Sequence, residues 1–333
     1  MAAKGRKRPA RTSPFRRWRK HAAWMLIAFL TLGFGNWFAH QPSEVRAAFG
    51  SAESVLEALG AITADWTDAL GLTGDDVSIP YLAPIAPQQG PLPFGVPVVA
   101  NKAKSPDDIV VLKRQGYWVG WSPSLRHPLW SAYAVPVAKL LEMPPPRPPF
   151  EADAEAPRSP QPADYTRSGY DRGHLAPNYL IATRYGKSAQ KETFLMSNIA
   201  PQRPDLNRGP WRGLEQIVAD DLSAIGDTLW VITGVVPDTK QRLPKRQGQE
   251  PNVAIPAGFY KIVAAVHDNR LRVLSVYMDQ EISSAKRTRY CFRSVDAIEA
   301  MTGLDFFPAL SKERQQALES PEPNRFWPKH ALF

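Results

Sequence analysis

Ser168-Gly-Tyr-Asp-Arg-Gly-His-Leu-Ala-Pro177, in one-letter form SGYDRGHLAP, sets an acid, a cation, a glycine and an imidazole at four consecutive positions, Asp171 to His174. On its own the stretch reads either as a polar turn or as the base of an active site. An imidazole is the side chain whose ordinary pKa suits it to move protons near neutrality. The flanking residues decide between the two readings.

Downstream runs FLMSNIAPQRPDLNRGPWRGLEQ, residues 194–216. Phe194 to Ile199 reads as a short strand and Pro210 to Ile225 as a helix, because Pro210 suits a first helical turn. Trp211, Leu214, Val218, Leu222 and Ile225 then make one apolar stripe. At about 100° per residue, Arg208, Arg212, Glu215 and Ala219 fall within about 60° of one another, roughly a quarter turn from that stripe. One edge of the helix therefore carries two cations and a carboxylate, with Asn207 at its entrance. Three charges on a helix are ordinarily a solvated face, and an asparagine there is ordinarily a cap. Beside DRGH the set becomes specific: an imidazole base, a neutral oxygen and a carboxylate suited to a hard cation, and arginines suited to phosphate. Phosphodiester cleavage needs those three things. The remaining histidines do not offer a second base, since His21 and His40 flank an apolar run, His330 is near the terminus, and His127 and His267 are far away in sequence. One histidine plus a metal accounts for the set better than a two-histidine ribonuclease does.

The formal charge of +9 does not by itself indicate nucleic acid. Residues 1–20 hold nine Lys and Arg and no acid; removing those nine from the 41 Lys plus Arg leaves 32, against 32 Asp plus Glu. Any basic surface on the remainder must be local. Ala22 to Ala39 is apolar apart from Thr31 and Asn36, with Trp24 and Trp37 near its ends. At about 18 residues it is close to the minimum for a membrane span, and the preceding cations predict a cytoplasmic N-terminus with the rest exported. The expected place is the inner membrane, single-pass, with the following domain in the periplasm. A cleaved signal peptide or a mitochondrial presequence has a similar layout, which makes a secreted protein or the mitochondrial intermembrane space the alternatives. Cys291 is alone, so neither an intramolecular disulfide nor a cysteine-rich zinc site is available.

These segments divide the chain into a basic tail (1–21), an anchor (22–39), an amphipathic helix and proline-rich spacer (40–104), a globular domain (105–320) and a C-terminal tail (321–333). The helix is expected over Ser51 to Leu72, where Val55, Leu56, Leu59, Ile62, Trp66 and Leu70 recur at helical spacing. Within the globular part, residues 117–121, 129–135, 229–236, 254–266 and 271–278 read as strands. Ser294 caps a helix over 295–301 that Gly303 stops. Pro144 to Pro162, with eight prolines, reads as a long surface loop. Short strands and helices interleave irregularly, which predicts an α+β class with a mixed sheet.

SGYDRGHLAP followed in order by FLMSNIAPQRPDLNRGPWRGLE resembles the DNA/RNA non-specific endonuclease family, the ββα-metal nucleases that include endonuclease G-like enzymes. Weaker echoes in GYWVGWSPSLRHPLWSAY, VAIPAGFYKIV and SVDAIEAMTGLDFFPAL extend the resemblance over about residues 105–310. It implies that His174 is the general base, that Asn207 is the one direct protein ligand of Mg²⁺ (with Mn²⁺ as a substitute), and that Glu215 holds a metal-bound water. It further implies that Arg172 supports the site or contacts phosphate, that Arg147 contacts phosphate, and that Asp171 and Asn198 belong to the hydrogen-bonded surround; Arg208 and Arg212 are expected to bind substrate from their place on the helix edge. The products would be 5′-phosphate ends of DNA and RNA. Relatives often dimerise, which makes a homodimer an expectation, and an inhibitor protein is conceivable for a toxic nuclease. Ala219 departs from the pattern, since some members carry arginine there; Arg208 or Arg212 would have to replace it. A catalytically weak, membrane-tethered nucleic-acid-binding or scaffold protein is the competing reading, and the presence of His174, Asn207 and Glu215 together favours catalysis.

Overall fold

The computed structural model describes residues 78–80, 91–224, 228–244, 253–267, 270–282 and 291–320. The chain divides into two units, Met1–Asp76 and Val77–Phe333. The first unit lies outside the described residues, and with it the expected anchor over 22–39 and the helix over 51–72; the tail over 321–333 lies outside them too. Among the described residues no helix is long and apolar enough to cross a membrane.

The second unit is built on a seven-stranded sheet. In chain order its strands are β1 (Ser78–Pro80), β3 (Val110–Arg114), β4 (Tyr117–Ser122), β5 (His127–Pro136), β8 (Thr228–Val236), β9 (Gly258–His267) and β10 (Arg270–Asp279). They lie in the order β1-β10-β9-β8-β5-β4-β3, every neighbouring pair antiparallel. The expected mixed sheet is therefore corrected to an antiparallel one. The physical reason is the short connections of β3–β4–β5 and β9–β10, which let each strand fold straight back on its neighbour, whereas a parallel pair needs a crossover of a dozen residues or more. Two small ribbons accompany the sheet: β2 (Val98–Val99) with β11 (Leu304–Asp305), and β6 (Asp171–His174) with β7 (Ile199–Gln202).

The central strands are buried on both faces, and their aromatic and β-branched content suits that position. Alternation along β9 shows how the layers divide. Phe259 packs on Trp211 at 5.5 Å and Lys261 lies under the same ring at 4.9 Å, so this face is covered by the helical run around Trp211. Tyr260 points the other way onto Phe306, as does Trp230 of β8 onto Phe94. Leu92 and Phe94 are thus core residues, and the packed domain reaches N-terminal to residue 105.

The helices are α1 (Asn178–Thr193), α2 (Pro204–Leu206), α3 (Arg212–Gln216), α4 (Val295–Thr302) and α5 (Lys312–Glu319). α4 keeps both its expected caps: Ser294 accepts from the Ala297 amide at 3.2 Å, and Gly303 adopts φ of 74°. A side chain at Gly303 would lie 2.6 Å from the Asn101 carbonyl, so only glycine fits there. α1 was not expected from the sequence, because Gly186 breaks it into two short halves at φ of 87°. The expected strand over 194–199 moves to 199–202, with Met196–Asn198 forming a tight turn before it.

Candidate active site

DRGH is a strand, not a turn. β6 pairs with β7 so that Asp171 lies opposite Gln202 and His174 opposite Ile199. Gly173 is required by a close approach: a Cβ there would come within 2.7 Å of the Gln202 Cβ. The ribbon is held from outside by Gln280, whose amide donates to the Pro201 carbonyl at 2.7 Å and accepts from the Arg203 amide at 2.9 Å. Asn198 is fully buried and bonds the Ala176 amide and carbonyl and the Thr193 carbonyl, so it ties the segment after His174 to the end of α1.

Helical backbone follows β7 directly, but not as the regular helix expected from Pro210. α2 passes into a widened turn over Asn207–Trp211, with Gly209 at φ −102° and ψ −114°; α3 follows, and then a second widened turn over Ile217–Asp221. Pro210 has no amide hydrogen and its ring crowds the preceding turn, which opens the backbone where Asn207 sits. The 100° arithmetic that grouped Arg208, Arg212, Glu215 and Ala219 therefore fails. Ala219 is buried and its carbonyl accepts from Arg184 at 3.1 Å, so this position faces the core rather than phosphate. The helical edge does not place Arg208 there either; it turns back to the ribbon.

That turn creates the first group of the site. The Asp171 carboxylate accepts from Asn207 Nδ2 at 2.9 Å, Arg208 Nε at 2.9 Å and Arg208 Nη2 at 2.7 Å. Burial alone would raise the Asp171 pKa; the hydrogen bonds from Arg208 and Asn207 outweigh it and hold the carboxyl below its usual range. The side-chain hydrogen bond of Asn207 goes through nitrogen, which leaves its amide oxygen for another partner.

The second group surrounds His174. Its ring packs edge-on to Phe194 at 5.0 Å and against Phe150 at 5.5 Å, and its Nε2 is buried without a hydrogen-bond partner. Burial, with the charge of Arg147 adding to it, lowers its pKa to about 4, so the ring is neutral at physiological pH. Arg172 donates to the Pro162 carbonyl at 2.6 Å and stacks on Phe150 at 5.3 Å, so it anchors β6 to the proline-rich segment. That segment is itself pinned. Arg114 pairs with Asp153 at 2.5 Å, both side chains buried, and the Trp121 indole donates to the Pro157 carbonyl.

The third group lies beneath. Burial raises Glu215 to about 7, against the pull of the Lys261 charge. Lys261, 1% exposed, is lowered to about 8 by burial and raised back by Glu215. Its ammonium donates to Thr233 at 2.5 Å and Tyr133 at 3.3 Å. Sequence reasoning missed Lys261. The available signal was a lysine inside the apolar strand GFYKIVAAV. It also missed Gln202, which is fully buried with both amide atoms unpartnered, and the Phe150–Phe194 seat of His174. Asp171, Asn207 and Arg208 are in direct contact. Among the described residues no hydrogen bond or ion pair links them to His174 or Glu215, and Arg212 is exposed.

A neutral imidazole, an amide oxygen turned outward by a carboxylate, and exposed arginines at 147, 208 and 212 are carried by a two-stranded ribbon, the helical run after it and the proline-rich segment before it. The family model for DNA/RNA non-specific endonuclease matches residues 95–313, well over half of the chain, and the protein belongs to that family. It is 31% identical over 161 residues to zebrafish "Nuclease EXOG, mitochondrial" (45% of this chain, 46% of the relative). It is 31% identical over 174 residues to a nuclease of Nostoc (49% and 60%), and 32% identical over 155 residues to human mitochondrial endonuclease G (44% and 51%). The match thus spans only about half the length of these relatives. A solved structure described as the EndoG/EndoGI complex superposes with a TM-score of 0.53 at 27% identity, covering 61% of this chain and 88% of that one.

Proposed function

We propose that the protein is a Mg²⁺-dependent, sugar-non-specific endonuclease that hydrolyses DNA and RNA to 5′-phosphate ends. The observation that carries the proposal is the Asp171 clamp, which uses the nitrogen of Asn207 and leaves its oxygen available. A single neutral oxygen with a carboxylate nearby in the same helical run is a donor set for a hard cation that keeps most of its waters, and Mn²⁺ fits the same set. Held there by Asn207, with Glu215 on one of its waters, Mg²⁺ would supply positive charge to the phosphate and the departing oxygen.

The chain's own groups do the rest. His174, neutral and with Nε2 unpartnered, takes a proton from the attacking water; the 3′-oxygen leaves and is protonated from solvent. The exposed Arg147, Arg208 and Arg212 bind the phosphate backbone, and Arg172 fixes the strand that carries His174. Because water rather than a ribose hydroxyl attacks, DNA and RNA are both substrates. The basic run before residues 22–39 supports a membrane tether with the domain exported to the periplasm, and the mitochondrial names of the relatives support the intermembrane space as the alternative. A homodimer is proposed from the resemblance. The neighbour's inhibitor complex supports an inhibitor protein as a second partner.

The test is cleavage of supercoiled plasmid and single-stranded RNA by the purified full chain, with Mg²⁺ or EDTA, beside His174→Ala. Cleavage of both, dependent on metal and lowered about 10²- to 10⁴-fold in the variant, supports the reading. A folded wild-type protein that binds DNA and cuts nothing refutes it.

A further inference from the structure

On the face of the sheet opposite DRGH, α4, α5 and the segment between them gather four carboxylates. One oxygen each from Asp296, Glu299 and Glu319 lie within 4.8 Å of one another, and Asp305 is close enough for its charge to act on Glu299 and Glu319. Three of the four have protein donors. Glu299 accepts from the Phe306 amide at 2.9 Å and Asp296 from Ser320 Oγ at 2.6 Å. Asp305 accepts from Gln315 at 2.8 Å and Lys312 at 3.4 Å.

Glu319 is different. It is 4% exposed, and its Oε1 is buried with no hydrogen-bond partner. A buried, unpaired acceptor costs a protein more than one typical hydrogen bond contributes, so such an atom calls for a partner. Among the described residues the one cation acting on Glu319 is Lys312, whose side chain is 83% exposed. Burial, helped by the neighbouring carboxylates, holds Glu299 up at about 7 and Glu319 at about 8, the mark of a cluster short of positive charge.

We propose that Asp296, Glu299 and Glu319 form a divalent-cation site, suited to Ca²⁺ and separate from the DRGH site, that clamps the end of α5 to α4. Three carboxylate oxygens within 4.8 Å of one another are near enough to close on one hard cation, and Ca²⁺ accepts an irregular carboxylate shell more readily than Mg²⁺, which demands near-ideal octahedral geometry. Asp296 is exposed and gives the entry path, with water completing the shell. The proposal is independent of the nuclease reading.

The experiment measures Ca²⁺ stoichiometry by equilibrium dialysis, and melting temperature against Ca²⁺, for the full chain, Glu319→Gln and Asp296→Asn. Glu319→Gln is expected to bind one Ca²⁺ fewer per chain and to lose the Ca²⁺-induced rise in melting temperature, with Mg²⁺-dependent plasmid cleavage unchanged within about twofold. Asp296→Asn, at an exposed position that folding tolerates, is expected to raise the half-saturating Ca²⁺ about tenfold, as loss of one ligand charge does. A wild-type chain that is not stabilised by Ca²⁺ up to about 10 mM, above the weak end of protein Ca²⁺ sites, overturns the proposal and leaves a proton shared between Glu299 and Glu319. Equal stoichiometry in wild type and Glu319→Gln overturns it as well. If Glu319→Gln does not fold, an unchanged half-saturation in Asp296→Asn does so alone.

Discussion

Replacing Asp171 with alanine removes the acceptor of three hydrogen bonds, and the consequence can be worked out from where each donor lies. Two come from Arg208, whose side chain is 70% exposed, so that ion pair is screened by solvent and adds little. The third, from Asn207 Nδ2 at 2.9 Å, sets which way the amide faces. Without it, oxygen-out and nitrogen-out orientations compete, and only the first offers a ligand. A charge-assisted hydrogen bond of about 1.5–3 kcal/mol corresponds to about 10- to 100-fold, the range found when an outer partner of a metal ligand is removed. The half-saturating Mg²⁺ for plasmid cleavage should therefore rise about 10- to 100-fold, while the rate at saturating Mg²⁺ falls by only a few-fold. Initial rates across a Mg²⁺ series measure both. Arg208→Ala is the control: it leaves the Asn207 bond intact, so its Mg²⁺ dependence should stay near wild type while its KM for nucleic acid rises. An Asp171→Ala protein with the wild-type Mg²⁺ response would refute the orienting role and, with it, Asn207 as the ligand.

Lys261→Met removes the cation that pulls Glu215 down, so the Glu215 pKa should rise above about 7 and the acid limb of the pH–rate profile should move to higher pH; a shift of one unit costs about tenfold in rate below the limb, and an unmoved limb would separate Lys261 from the site. His127 and His174 both have folded pKa values of about 4, below the unfolded value of about 6.5, so their contribution to stability is complete above pH 6.5 and is lost as pH falls toward 4. For the fully buried His127 that amounts to about 2 kcal/mol between pH 7 and 5, read as the difference in pH slope of urea unfolding between wild type and His127→Gln. Asp153→Ala leaves Arg114 buried with only the exposed Glu155 as partner, so unfolding free energy should drop by about 3 kcal/mol; a drop under 1 kcal/mol would mean that the proline-rich segment is not held by this pair.

Local chemistry was legible in the sequence wherever neighbours along the chain determine it. The caps of α4, the hairpin strands β4 and β5, and the grouping of DRGH with LNRGPW as one candidate site needed only turn residues, alternation and the types of side chain that phosphodiester cleavage requires. His174, Asn207 and Glu215 could be singled out as candidates on those grounds, while the role proposed for each came from the family resemblance. What failed depended on backbone that a regular period does not describe: α1 is interrupted at Gly186, and the run after Asn207 widens at Gly209 and Pro210, so residues counted onto one edge face different ways. Tertiary structure alone decided the partners. Arg208 was read only as a phosphate ligand, and the fold adds an ion pair with Asp171 on β6; Lys261 belongs to a strand far along the chain, and its charge acts on Glu215 only because β9 passes beneath the Trp211 helix. The Glu319 carboxylate likewise becomes an unpaired buried acceptor only once α5 packs back toward α4. Charge and hydrogen bonding act over a few ångströms of space, and sequence separation carries no information about that distance until the sheet has set which elements lie together.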